Sequence, residues 1–179
     1  MKGIIFTESL EMAEKKFSYE MVDTIIDESE LPSSGIYTSI GTYHHSEIIQ
    51  LLGNLSKRSE IGNQVLLKAF GEYLFDAFLK SYPQFFNAID DPFDFLISID
   101  NHMHVEILKL YPDTKLPKFD IRYLEDGSLE MICKSERKMA ALAEGLIETS
   151  IAHYHTSHII KKEMISTDGS IVKFTIKQS

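Results

Sequence analysis

The sequence predicts an α+β protein in which a helical N-terminal region is followed by a four-stranded antiparallel sheet. Up to about residue 112, apolar residues recur three or four positions apart, which is typical of amphipathic helices. After Pro117 the pattern changes to alternation, and two Asp-Gly pairs, at 126–127 and 168–169, each lie between alternating segments. Such pairs favour tight hairpins, so we expect two hairpins, with a helix over 138–154 between them.

The helical region divides into several predicted helices. Residues 3–30 form two pieces that break near Phe17 and Ser18, where Ser18 can cap the second piece. A short helix covers 46–55, and Ser59 with Glu60 is expected to begin a longer one that ends at Lys80. A further helix is expected over 90–112, with Asp90 and Asp91 at its start and Pro112 at its end.

Length and composition fit one globular domain over 1–179, with 44% hydrophobic residues available for a core. The net charge of -9 argues against nucleic-acid and anionic-membrane partners, because these require a basic surface. The single Cys133 excludes an internal disulfide, and the short apolar opening does not resemble a signal peptide, so we expect a cytoplasmic protein. No nucleophile with a paired base or phosphate-binding glycine loop is evident, so we do not expect an enzyme.

The helix over 90–112 carries the most informative residue, His104. It lies on an apolar stripe whose other members are Ile97, Asp100, Leu108 and Tyr111. His102, by contrast, falls on the polar face. Periodicity alone favours a neutral core histidine bonded to a neighbouring carbonyl over a metal ligand.

The order of residues around His104 narrows this choice. His-Val-Glu-Ile-Leu-Lys-Leu-Tyr-Pro at 104–112, followed by Leu116-Pro117, resembles the proximal segment of the haem nitric oxide/oxygen binding (H-NOX) family. The segments 1–6 and 66–71 are similar to that family too. The resemblance implies haem b (iron protoporphyrin IX) as cofactor, His104 as iron ligand and Pro117 pressed against the porphyrin. The haem would lie between a distal helical subdomain, 1–58, and a proximal subdomain, 59–179.

A second motif with the same resemblance lies after the first hairpin. H-NOX domains carry Tyr-x-Ser-x-Arg, whose side chains bind the haem propionates, and this chain has Cys133-Lys-Ser135-Glu-Arg137. Ser135 and Arg137 match. Cys133 replaces the tyrosine and is a shorter and weaker donor. In an extended segment these three side chains would share one side.

The distal side of the haem follows from the same resemblance. Oxygen-binding members place a tyrosine five residues after the motif arginine, where this chain has Leu142. Ser9 and Leu74 stand at supporting polar positions. Three further positions are apolar as in the family: Ile5, Phe78 and Leu146. An apolar pocket disfavours oxygen, which needs a donor more than nitric oxide and carbon monoxide do.

The resemblance therefore implies a haem-based sensor of nitric oxide and carbon monoxide that excludes oxygen. Release of His104 and relaxation of the haem would regulate a separate partner, a histidine kinase or a cyclic-di-nucleotide enzyme. Two alternatives stay open: a haem-dependent redox sensor or haem carrier, and a cofactor-free interaction domain. The histidines at 153, 155 and 158 do not have the spacing of a known zinc site.

Overall fold

The computed structural model describes residues 1–87 and 89–179 and confirms the α+β class. The described part contains α1 Gly3–Lys16, α2 Tyr19–Asp27, α3 His45–Ser59, α4 Asn63–Ser81, α5 Pro92–Ser98, α6 His104–Leu110 and α7 Ala140–His153. Its strands are β1 Lys118–Tyr123, β2 Leu129–Lys134, β3 His158–Met164 and β4 Ile171–Gln178. Within these residues no helix has the length and apolar character needed to cross a bilayer.

The predicted break between the first two helices is confirmed, and one helix boundary is corrected. Ser18 caps α2, since its hydroxyl accepts a hydrogen bond from the Met21 amide at 3.2 Å. Ser59, expected to begin a helix, instead ends α3, and its hydroxyl donates to the Leu55 carbonyl at 2.7 Å. Glu60 has a left-handed backbone with φ of 59°, which stops the helix, so α4 begins only at Asn63.

The helix expected over 90–112 is a helical run with an interruption. Asp91 caps its start by accepting from the amides of Phe93 at 2.8 Å and Asp94 at 3.1 Å. Between α5 and α6, the residues Ile99–Met103 form a π-helical turn, which is wider than an α-helical turn. Leu108, on the stripe predicted to point inward, is 39% exposed because it lines the cavity described below and is not packed in a core.

The strands form one antiparallel sheet in the order β1-β2-β4-β3. Gly127 and Gly169 have φ of 79° and 78°, which is the conformation that the two predicted Asp-Gly turns require. The outer face carries cross-strand ion pairs, for example Arg122 with Glu130 at 2.7 Å. The inner face is apolar and packs against helices.

Two hydrophobic cores position the elements around the site. The sheet core joins the inner face of the sheet to α5 and α7 and contains Phe95, Leu96, Leu129, Met131, Cys133, Ile147, Ile151, Phe174 and Ile176. The helix core joins α1, α3 and α4 to the start of α7 and contains Phe6, Met12, Ile48, Leu67, Phe70, Leu74, Met139 and Ala141. Phe78 and Leu146 pack against both cores and so connect them.

Helices α4 and α7 cross with their backbones in close approach. A Cβ placed on Gly71 would overlap the carbonyl oxygen of Leu142, and a Cβ placed on Gly145 would overlap that of Lys68. Neither position has space for a side chain. The crossing therefore depends on two glycines, one on each helix.

We expect Gly145→Ala to lower the free energy of unfolding by about 1–3 kcal/mol, because the added methyl forces the two backbones apart. Urea denaturation of the purified protein measures the change. Gly53→Ala on α3 is the matched control, since no atom lies within 4 Å of its added Cβ. The free energy of unfolding of this control should rise by about 0.5–1 kcal/mol, from helix propensity alone. An equal rise in the free energy of unfolding in both variants would show that α4 and α7 do not cross this closely.

Candidate functional site

A cavity of about 1140 Å³ lies between the helical run and the N-terminal segment. Its walls come from the helical run at 100–108, the loop 113–118, the turn 134–137 and the N-terminal residues 1–2 with 42–45. Small-molecule and cofactor pockets commonly measure about 300–1,000 Å³, so this cavity can hold a large organic ligand.

His104 is the central polar residue of the cavity. Its imidazole is 14% exposed, and Nδ1 lies 2.7 Å from Oδ1 of Asp100. The other carboxylate oxygen of Asp100 accepts the backbone N–H of Phe119 at 3.2 Å. An ionised carboxylate only accepts hydrogen bonds, so Nδ1 carries the proton and Nε2 is the nitrogen that can bind a metal.

Burial keeps this imidazole neutral. Removal from water lowers the pKa of His104, and the nearby Asp100 carboxylate only partly opposes that shift. The phenyl ring of Phe119 lies against the imidazole, with ring centroids 5.8 Å apart. A neutral, oriented imidazole is the form that ligates a metal ion.

Apolar side chains form the walls beside His104. Val105 is 43% and Leu108 39% exposed, and both line the cavity together with Leu116 and Pro117. Their exposed surface suits a flat, apolar ligand, because contact with such a ligand removes it from water. His102 is exposed on the opposite side of the helical run, as predicted.

Ser135 and Arg137 also line the cavity, at the turn that follows β2. The Ser135 hydroxyl accepts the Arg137 amide at 3.3 Å, and Nη2 of Arg137 donates to the Lys115 carbonyl at 2.6 Å. Lysines and arginines together contribute five lining residues, whereas aspartates and glutamates together contribute three. In a chain with a net charge of -9 this is a local excess of positive charge, which favours an anionic ligand.

Cys133 lies apart from Ser135 and Arg137. It pairs with Phe119 and Val172 in the sheet and is buried in the sheet core, and it is not among the residues that line the cavity. Burial continues to alternate after β2 ends at Lys134, since Ser135 and Arg137 are partly buried whereas Lys134 and Glu136 are exposed. That the three side chains share one side stays a prediction. Burial, and secondarily the Asp100 charge, raise the pKa of the Cys133 thiol to about 11, so it stays protonated.

The predicted distal residues lie in or against the helix core rather than in the lining of the cavity. Leu74 is fully buried there, and four partly buried residues pack against it: Ile5, Phe78, Leu142 and Leu146. Met1 and Tyr43 pack against the same core and also line the cavity, so the helix core borders the cavity.

Polar groups around the helix core already have partners. The Ser9 hydroxyl donates to the Phe6 carbonyl at 2.9 Å within its own helix. Three tyrosines pack against this core. The Tyr37 hydroxyl donates to Glu47 at 3.0 Å. The Tyr43 hydroxyl accepts the Thr38 amide at 2.9 Å, and the Tyr73 hydroxyl accepts from Lys15 at 2.9 Å. The helix core therefore presents a mainly apolar surface.

Two parts of the site were not assigned from the sequence. Asp100 was placed on the His104 stripe without a role, although its position four residues before His104 is a readable signal. Tyr43, His44 and His45 were given no role from the sequence, and they reach the cavity only because the chain folds back on itself. Lys2 and Thr42 form the β-bridge that holds them there.

An imidazole able to ligate a metal ion, apolar walls and an excess of cationic side chains in an α+β fold are the features expected of a domain for an anionic, metal-containing prosthetic group. The profile of the Haem-NO-binding (HNOB) family matches residues 2–162, and the chain belongs to this family. A comparison with curated protein sequences finds no match.

Solved structures agree with this assignment. The unliganded Fe(II) H-NOX protein from K. algicida is 46% identical with a TM-score of 0.95, over 100% of this chain and 97% of that one. The H-NOX from Shewanella woodyi, solved in the Fe(II)CO state with IWP-051 bound, is 37% identical with a TM-score of 0.85, over 100% and 95% of the two chains. An H-NOX protein from S. oneidensis in the Fe(II)NO state shares the fold at 23% identity, with a TM-score of 0.92 and coverage of 100% and 99%.

Proposed function

We propose that this protein binds haem b through His104 and senses nitric oxide and carbon monoxide rather than catalysing a reaction. The observation that carries the proposal is the His104 imidazole in the cavity, held at Nδ1 by Asp100 so that Nε2 is the ligating atom. Bound haem would supply a ferrous iron able to bind a diatomic gas.

The other residues of the cavity suit the rest of the haem molecule. Val105, Leu108 and Pro117 offer apolar contact to the macrocycle and exclude water from it. Ser135 and Arg137 offer a hydroxyl and a guanidinium to the propionates. Cys133 supports the site from behind by packing in the sheet core beside Phe119, which itself contacts the His104 ring.

We expect His104→Gly to lower haem affinity by about 100-fold or more, because loss of a supporting residue alone commonly costs about 10–100-fold. Titration of the purified protein with haem, followed by absorption, measures this. Free imidazole should restore binding to the glycine variant. His102→Ala, two residues away on the exposed face, is the control and should bind haem normally. Equal losses in the two variants would refute the ligand assignment.

Selectivity against oxygen is proposed to come from the apolar helix core. Leu74 and Leu142 offer no hydrogen bond, the Ser9 hydroxyl already donates within its own helix, and the Tyr73 hydroxyl lies at the exposed surface beside Lys15. A hydrogen-bond donor at the outer atom strengthens the binding of dioxygen more than that of nitric oxide or carbon monoxide. Lack of a donor therefore weakens oxygen binding most.

The reduced, haem-loaded protein should therefore take up carbon monoxide and nitric oxide but no stable dioxygen in air, as judged from absorption spectra. Leu142→Tyr should raise oxygen affinity about tenfold or more, because a hydrogen bond to a partly charged oxygen contributes about 1.5–3 kcal/mol. Leu142→Phe adds the same ring without the hydroxyl and should leave oxygen binding weak. Stable oxygen uptake by the unmodified protein would contradict this mechanism.

Signalling is proposed to begin at the bond between His104 and iron. His104 is tied through Asp100 to Phe119 on β1, and the same cavity is lined by Met1 and Tyr43 from the N-terminal side. Release of His104 would change how the segment 1–58 fits against 59–179. A separate histidine kinase or cyclic-di-nucleotide enzyme would respond to that change.

Nitric oxide should release His104, whereas carbon monoxide should leave the imidazole in place. Resonance Raman spectra of the reduced protein report the iron–histidine bond directly. We expect its signature to be lost with nitric oxide, and we expect partner activity to change with nitric oxide alone. Carbon monoxide is the matched control because it occupies the same position. A retained bond with nitric oxide, or equal partner responses to both gases, would exclude His104 release as the switch.

A further inference from the structure

His45 faces the cavity from the side opposite to the helical run. It is the first residue of α3, and its position is fixed by pairing between the start of the chain and the segment before α3. The amino group of Met1 donates to the Tyr43 carbonyl at 2.7 Å, and the Tyr43 amide donates to the Met1 carbonyl at 3.0 Å. Arg137 lines the same cavity from the turn after β2.

Positive groups meet around His45. Burial is the main cause that lowers its pKa, and repulsion by His44, Arg137 and the Met1 amino group lowers it further. Glu136 is the acidic residue that opposes the shift, but its side chain is 89% exposed and pairs with Lys115 at 3.8 Å. Arg137 is itself partly buried, and burial lowers its pKa too. A carboxylate placed between the two would relieve this repulsion.

We propose that protonated His45 and Arg137 together bind one propionate of the haem, so that haem binding takes up a proton at His45. The proposal rests on the proposed function, since it needs haem in the cavity. It adds His45 on α3 to Ser135 and Arg137 as residues that would bind the propionates. It also makes haem retention depend on pH.

The direction of the pH dependence follows from the charges. Without ligand the pKa of His45 lies below its ordinary value of about 6.5, and a bound carboxylate raises it. Between these two pKa values, binding takes up a proton and haem affinity rises as the pH falls. Above the higher pKa value His45 is neutral in both states and contributes nothing. Below the lower one it is protonated in both states and the affinity reaches a plateau.

The test compares haem with haem dimethyl ester at pH values from about 6 to 8.5, where carboxyl groups of ordinary pKa near 4 stay ionised. Both ligands offer the same iron to His104, so the ratio of their affinities isolates the contribution of the carboxylates. For the unmodified protein we expect the preference for haem over the ester to fall about 3- to 10-fold across this range, because one pKa unit corresponds to about tenfold in affinity.

Three variants complete the experiment. His45→Gln should give a low preference and a clearly weaker pH dependence than the unmodified protein. His45→Lys should restore a high preference with the same weak pH dependence, since lysine stays charged. His155→Gln, an exposed histidine outside the cavity lining, should behave like the unmodified protein. Unchanged pH dependence in His45→Gln would overturn this inference alone, whereas failure of the unmodified protein to bind haem would overturn the proposed function.

Discussion

The close crossing of α4 and α7 is the constraint on which the rest of the structure depends. Gly71 and Gly145 let the two backbones touch, so α4, which packs with the N-terminal helices, is held against α7, which covers the sheet. Phe78 and Leu146 extend this contact by packing against both hydrophobic cores. Because packed interiors move as units rather than deform smoothly, this crossing ties the two cores to each other.

The proximal side of the site is fixed by a second contact between distant parts of the chain. Asp100 accepts hydrogen bonds from His104 in α6 and from the Phe119 amide in β1. The imidazole is therefore oriented by the helical run and by the sheet together. The same arrangement combines burial with one carboxylate, so His104 stays neutral while its proton is held at Nδ1.

The charge of the whole chain and the charge of the cavity have opposite signs. The net charge is -9, but the cavity gathers Lys2, Lys115, Lys118, Lys134 and Arg137. Net charge governs long-range association, whereas a bound ligand responds to the few groups within reach. A small dianion can thus bind an acidic protein at a specific place.

The sequence by itself determined the features that depend on neighbouring residues. These include the Ser18 and Asp91 caps, the two Asp-Gly turns and the spacing that places His104 inward and His102 outward. Such signals act over a few residues, through backbone conformation and helical or strand periodicity. A family resemblance added roles for these residues that periodicity alone left open.

Only the tertiary structure decided which distant residues meet. It buried Cys133 in the sheet core while Ser135 lines the cavity, inserted a π turn before His104, and brought Asp100 to an amide nineteen residues away. It also brought His45 to the cavity that Arg137 lines, close enough for their charges to interact. These contacts arise from the packing of whole elements, and no local pattern encodes them because the residues involved lie far apart along the chain.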